Sequence, residues 1–98
     1  MKVTFLKLAQ AELDDAFEHY ELLQNGLGFR FLAEAELSQS RITSFPLSYE
    51  KIGKYSRRCL VQKFPYGLIY QYIENQDEIL IVAVANLHRK PDYWAERE

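Results

Sequence analysis

Arg57-Arg58-Cys59-Leu60-Val61-Gln62-Lys63-Phe64-Pro65-Tyr66-Gly67-Leu68-Ile69-Tyr70-Gln71-Tyr72 is the stretch whose reading decides the fold. Leu60, Gln62 and Phe64 alternate with Cys59, Val61 and Lys63, and Leu68, Tyr70 and Tyr72 alternate with Ile69, Gln71 and Ile73. A period of two in β-branched and aromatic residues marks a strand. Pro65 lacks an N–H and Gly67 tolerates positive φ, so the reversal is expected at Phe64-Pro65-Tyr66-Gly67. The stretch therefore predicts a β-hairpin with arginines at its entrance and aromatics at its exit.

Downstream, Glu74-Asn75-Gln76-Asp77 reads as a turn, and Ile79 to Ala85 is apolar at every position. Continuous apolarity implies burial on both faces, which places this strand inside the sheet. Upstream, Val3 to Leu6 reads as a short strand. From Leu8 the spacing of Ala9, Leu13, Ala16, Phe17 and Tyr20 is that of an amphipathic helix closed at Asn25-Gly26. Glu12, Asp14 and Asp15 are expected to complement the positive end of its dipole. A second helix is expected from Leu27 or Gly28 to Thr43, with Phe31, Leu32, Ala35, Ile42 and Phe45 inward, stopped by Pro46. Leu47 to Ser56 shows no period and reads as a loop. The expected architecture is α+β: an N-terminal strand, an antiparallel helical hairpin, and a three-stranded antiparallel meander in a two-layer sandwich. The first strand should lie on the free side of the last. Pro91 can open a short terminal segment, anchored by Tyr93-Trp94.

The totals narrow the function classes. Ninety-eight residues suit one domain spanning 1–98. At 48% apolar and 27% charged, the chain has the composition of a globular protein. No apolar run reaches the ~20 residues of a membrane helix, and the N-terminus lacks a signal-peptide pattern, so a cytoplasmic location is expected. The single cysteine, Cys59, cannot form an internal disulfide and reads as a small buried hydrophobe. Metal-ligand spacings, glycine-rich phosphate loops and nucleophile elbows are absent, so neither a metal nor a cofactor is expected. His19 reads as a rim residue of the first helix.

The net charge of −2 hides an asymmetry. Glu12, Asp14, Asp15, Glu18, Glu21, Glu34 and Glu36 face only Arg30 between residues 9 and 37. Lys51, Lys54, Arg57, Arg58 and Lys63 fall between residues 51 and 63 with no acid among them. They read either as solvated positions or as a docking surface for phosphates or an acidic partner. A second set is Arg57, Arg58 and Lys63 with His88, Arg89, Lys90 and Tyr93. It brings together the residue types needed to cleave RNA without a metal, with Arg58, His88, Arg89 and Tyr93 the candidates for acid, base and phosphate clamp.

Five motifs in order resemble the RelE/ParE superfamily of type II toxin–antitoxin toxins, also called plasmid stabilisation proteins. They are Ala11-Glu12-Leu13-Asp14-Asp15-Ala16 with Tyr20; Gly26-Leu27-Gly28 with Phe31; Ile42 with Phe45-Pro46; the stretch from Arg57 to Tyr70; and His88-Arg89-Lys90-Pro91 with Tyr93-Trp94. The resemblance covers nearly the whole chain. It implies a growth-inhibiting toxin silenced by the C-terminal segment of a cognate antitoxin, and contact with operator DNA only through that antitoxin. One branch cuts mRNA on the ribosome; another, ParE-like, poisons DNA gyrase. Two arginines of the ribosome-acting branch are replaced here, by Gly67 and Leu87. The expectation is therefore ParE-like action on gyrase. The alternatives are a RelE-type ribosome-dependent endoribonuclease using Arg58, His88, Arg89 and Tyr93, and a non-toxic module that only binds antitoxin.

Overall fold

The computed structural model describes all 98 residues. β1 (Lys2–Phe5) leads into α1 (Lys7–Leu23), which is followed by α2 (Leu27–Ser44). Then come β2 (Glu50–Ile52), β3 (Ser56–Val61), β4 (Tyr66–Ile73) and β5 (Glu78–Asn86). Short 3-10 turns at Glu74–Gln76 and Ala95–Arg97 complete the chain. α1 stops where Gln24 turns extended at φ −158°. Two residues on, Gly26 opens α2 at φ +91°, a left-handed conformation that costs glycine little, so it starts the second helix instead of ending the first and the helices fold back as a hairpin. They also approach closely: a Cβ at Gly28 would lie 2.6 Å from the Phe17 carbonyl oxygen.

The strands form one mixed sheet in the order β1-β5-β4-β3-β2. β3, β4 and β5 make the expected antiparallel meander, and β1 pairs with β5 in parallel. The helices cover one face, where Ala9, Ala16, Phe31 and Ile42 pack on Cys59, Val61, Leu68, Tyr70, Ile79, Ile81 and Val84. Between Ile69 and Tyr70 the register on β5 slips by one, from Ala83 to Ile81. The extra residue, Val82, joins Ala83 on the opposite face, a β-bulge in effect. There Ile69, Val82, Ala83 and Ala85 are covered by Trp94, which is 2% exposed. The all-apolar β5 is thus buried on both sides, by the helices and by the C-terminal segment.

Four details differ from the sequence reading. The 47–56 segment is not wholly loop, since Glu50–Ile52 adds an edge strand on β3. Charged and short, it has little periodicity to detect. The hairpin reversal falls two residues earlier, at residues 62–65, with Lys63 at φ +72° as its left-handed residue, and Gly67 lies within β4. Phe45 is 63% exposed rather than inward, because the chain has already left the helix at that point. α1 begins at Lys7, so its first turn holds no acid, and Glu12 does not act as a dipole partner.

Candidate functional site

Glu12 lies in register with Ala9, Leu13 and Ala16, so the helix aims its carboxylate at the sheet. β1 stops at Phe5, which leaves β5 without a neighbour strand beyond Ile81 on the side away from β4. Side chains complete that edge. Glu12 Oε1 accepts the Val84 N–H at 3.1 Å, and Arg97 Nη1 donates to the Val82 carbonyl at 3.1 Å. Arg97 also grips Glu12 with both terminal nitrogens, at 2.8 and 3.2 Å. The Tyr93 hydroxyl donates to Glu12 Oε2 at 2.6 Å. Arg89 lies 3.7 Å from the same oxygen and places its guanidinium 3.7 Å from the Tyr93 ring centroid, a cation–π arrangement. Burial and the bond to Glu12 hold the Tyr93 hydroxyl far above the usual phenol range.

A cleft of about 300 Å³ opens beside this cluster, bounded by Glu12, Asp15, His19, Tyr66, Arg89 and Tyr93 among others. His19, expected only at a rim, therefore stands nearer to Arg89 and Tyr93 than the sequence suggested. His88 does not line the cleft; it is exposed in the turn after β5. Arg58 does not reach it either. Its Nη2 is bound to Glu50 on β2 at 2.7 Å, at the opposite edge of the sheet from the Glu12 cluster. Two strand spacings, roughly 10 Å, separate β3 from β5. The base of the Arg58 stem lies against Gly67 of β4, where a Cβ would lie 3.0 Å from Cγ. Of the four residues expected to act on RNA, only Arg89 and Tyr93 come together.

The basic set divides as well. Arg58 is paired with Glu50, and Lys63, in the β3–β4 turn, with Glu34 of α2 at 3.6 Å. Lys51, Lys54 and Arg57 stay together around one shallow cleft and form no ion pair. Cys59 is buried, and burial pushes its thiol pKa up, so it is a packing residue and not a nucleophile. The residues that sequence reasoning missed are Glu12 in its inward role and Arg97. A carboxylate on the apolar stripe of α1 was the available signal for the first; Arg97 carried none.

The fold is thus a helical hairpin on a five-stranded sheet, strapped by its C-terminal segment. Residues 3–93 match the family described as ParE toxin of type II toxin-antitoxin system, parDE, and the chain belongs to that family. It is a type II toxin component of ParE-like kind, whose partner class is an antitoxin. Among solved structures it resembles the chromosomal ParDE TA system from P. aeruginosa, with a TM-score of 0.62 and 16% identity. That alignment covers 90% of this chain and 97% of the other, and establishes a shared fold. No curated protein sequence matches. No helix is long and apolar enough to cross a membrane.

Proposed function

We propose that this toxin arrests growth in the cytoplasm as a ParE-like inhibitor of DNA gyrase, by binding and without cutting RNA. A cognate antitoxin silences it and carries any contact with operator DNA. The observation that carries this reading is the separation of Arg58 from Arg89 and Tyr93. Cleavage of RNA by internal transfer needs a proton acceptor, a proton donor and a phosphate clamp within hydrogen-bond reach of one site. Here the clamp candidate is tied to Glu50, and the Tyr93 proton is held by Glu12. Gly67 adds no cation to replace it. The RelE-type alternative has less support, since His88 stands outside the cleft that Arg89 and Tyr93 share.

The test is pulse-labelling of DNA and protein synthesis in a bacterial host during the first minutes after induction, alongside a supercoiling assay with purified gyrase. DNA synthesis should stop first and supercoiling should fail in vitro. Translation that collapses first, with supercoiling unimpaired, would reject gyrase as the target. Harmless expression would leave an antitoxin-binding module.

A further inference from the structure

Lys51 and Arg57 stand directly opposite each other on the β2–β3 ladder. Like charges at opposed positions of an antiparallel pair repel and destabilise the sheet. One step along the same ladder, Glu50 faces Arg58 and the pair closes at 2.7 Å. The two faces of this small hairpin are therefore treated differently: one is neutralised within the chain and the other is left doubly positive. Lys54, in the β2–β3 turn, brings a third cation to the open side. Arg57 is steadied by donating from Nη1 to the Tyr49 carbonyl at 2.9 Å, which leaves the rest of its fork free.

These three cations border a cleft of about 210 Å³ with Leu47, Tyr55, Ser56 and Tyr72. No carboxylate lines it. Glu98, beside Gly53 of the same turn, accepts the backbone N–H groups of Lys54 and Tyr55 and the Ser56 hydroxyl. Burial alone would raise its pKa; those three donors and the nearby Lys54 charge outweigh burial and lower it, so it stays ionised, fixes the turn and partly offsets Lys54. Trp94 closes against the same turn, because Gly53, at φ +73°, leaves no Cβ in the way. The turn is thus held from below while Tyr55, 70% exposed, projects above it. An exposed aromatic ring beside a group of cations is the combination that holds a single strand, by base stacking and phosphate contact.

We propose that the cleft formed by Lys51, Lys54, Arg57 and Tyr55 binds single-stranded nucleic acid, with phosphates on the three cations and a base against Tyr55. This goes beyond the toxin reading and does not depend on it. An acidic polypeptide would also meet the cations, but the exposed, turn-borne aromatic ring favours a flat base over a peptide side chain. The acidic remainder of the chain limits the footprint to this patch, so binding should be weak and strongly salt-dependent. Three phosphate contacts on a single strand give a slope of about −2 in log K against log salt.

The experiment is fluorescence anisotropy of a labelled 12-nucleotide single-stranded DNA titrated with the full chain at several salt concentrations. The Lys51→Glu/Lys54→Glu double variant should lose at least tenfold in affinity, and Tyr55→Ala about five- to tenfold. Lys63→Glu, at a lysine paired with Glu34, should bind like the wild type. All these positions are exposed, and circular dichroism checks that each variant is folded. The proposal is overturned by no binding at low salt, by binding indifferent to the double substitution, or by equal affinity for the matching duplex with Tyr55→Ala neutral. Stronger binding of a polyglutamate peptide than of the oligonucleotide, again indifferent to Tyr55→Ala, would assign the cleft to an acidic polypeptide instead.

Discussion

The Glu12 carboxylate and the Tyr93 hydroxyl, 81 residues apart in the chain, meet at 2.6 Å over the uncovered edge of β5. With Arg97 they join three distant parts of the chain: the first helix, the last strand and the C-terminal segment. The ion pair is largely buried, Arg97 and Glu12 being 14% and 15% exposed. Removing one partner therefore strands the other charge. Glu12→Ala is expected to cost about 2–4 kcal/mol, and Glu12→Gln about half of that because its amide still accepts a hydrogen bond. Urea denaturation measures both. Equal stability of all three proteins would mean that the cluster is solvated and ornamental.

Tyr70 donates its hydroxyl to the Pro46 carbonyl at 2.6 Å beneath the end of α2. Burial pushes its pKa up to about 12, while the unfolded chain titrates at 10. Above pH 10 the unfolded state gives up this proton first and is favoured by doing so. The contribution is whole below pH 10 and disappears as pH rises through about 12. Tyr70→Phe should lose about 1 kcal/mol at neutral pH. It should also unfold with a shallower alkaline slope than the wild type, a contrast that thermal melts between pH 8 and 11.5 will record.

Two glycines separate rigid from yielding neighbours. At Gly28 a Cβ would meet the Phe17 backbone oxygen at 2.6 Å, which can move only if the helices part. At Gly67 it would meet the Arg58 stem at 3.0 Å, which can swing aside at the expense of the Glu50 pair. Gly28→Ala should destabilise by about 2–3 kcal/mol and Gly67→Ala by about 1 kcal/mol or less. Chemical denaturation of the pair will rank them, and the reverse order would contradict the packing described.

Trp94 seals the sheet face opposite the helices, against Ile69, Val82, Ala83 and Ala85. Trp94→Ala should cost about 3–5 kcal/mol. It should also speed amide exchange in β5, which loses one of its two covers. Protection unchanged in β5 would show that the C-terminal segment is not part of the core.

If the toxin acts by binding gyrase, His88→Ala and Arg58→Ala should each leave growth inhibition within about twofold of the wild type. Loss of toxicity by a hundredfold in either, in a folded variant, would restore the ribonuclease reading. Colony counts after induction, with antitoxin withheld, give the answer.

Much of the fold was legible because it rests on local pattern. Period two gave β3, β4 and their pairing; the run Ile79 to Ala85 gave a strand with two covered faces; Asn25-Gly26 and Pro46 bounded the helices. β2 was not legible, since three charged or partly exposed residues become a strand only when β3 offers them an edge. The place of the reversal was misread because Lys63 adopts a left-handed φ that glycine would normally take. The candidate site was legible by residue type and not by arrangement. Arg58, His88, Arg89 and Tyr93 are the right chemistry, and the sheet sets them at opposite edges or in solvent.

The sequence by itself determined the α+β order, the helical hairpin, the interior position of β5 and the family, because propensity, periodicity and turn chemistry act over a few residues. Only the tertiary structure decided which charges are neutralised and which stay free. Glu12 turned inward to Arg97, Arg58 closed on Glu50, and Lys51 was left facing Arg57. Those outcomes depend on where β1 ends and how β2 registers on β3. An electrostatic partner is set by distance in space, which residue spacing along the chain does not encode.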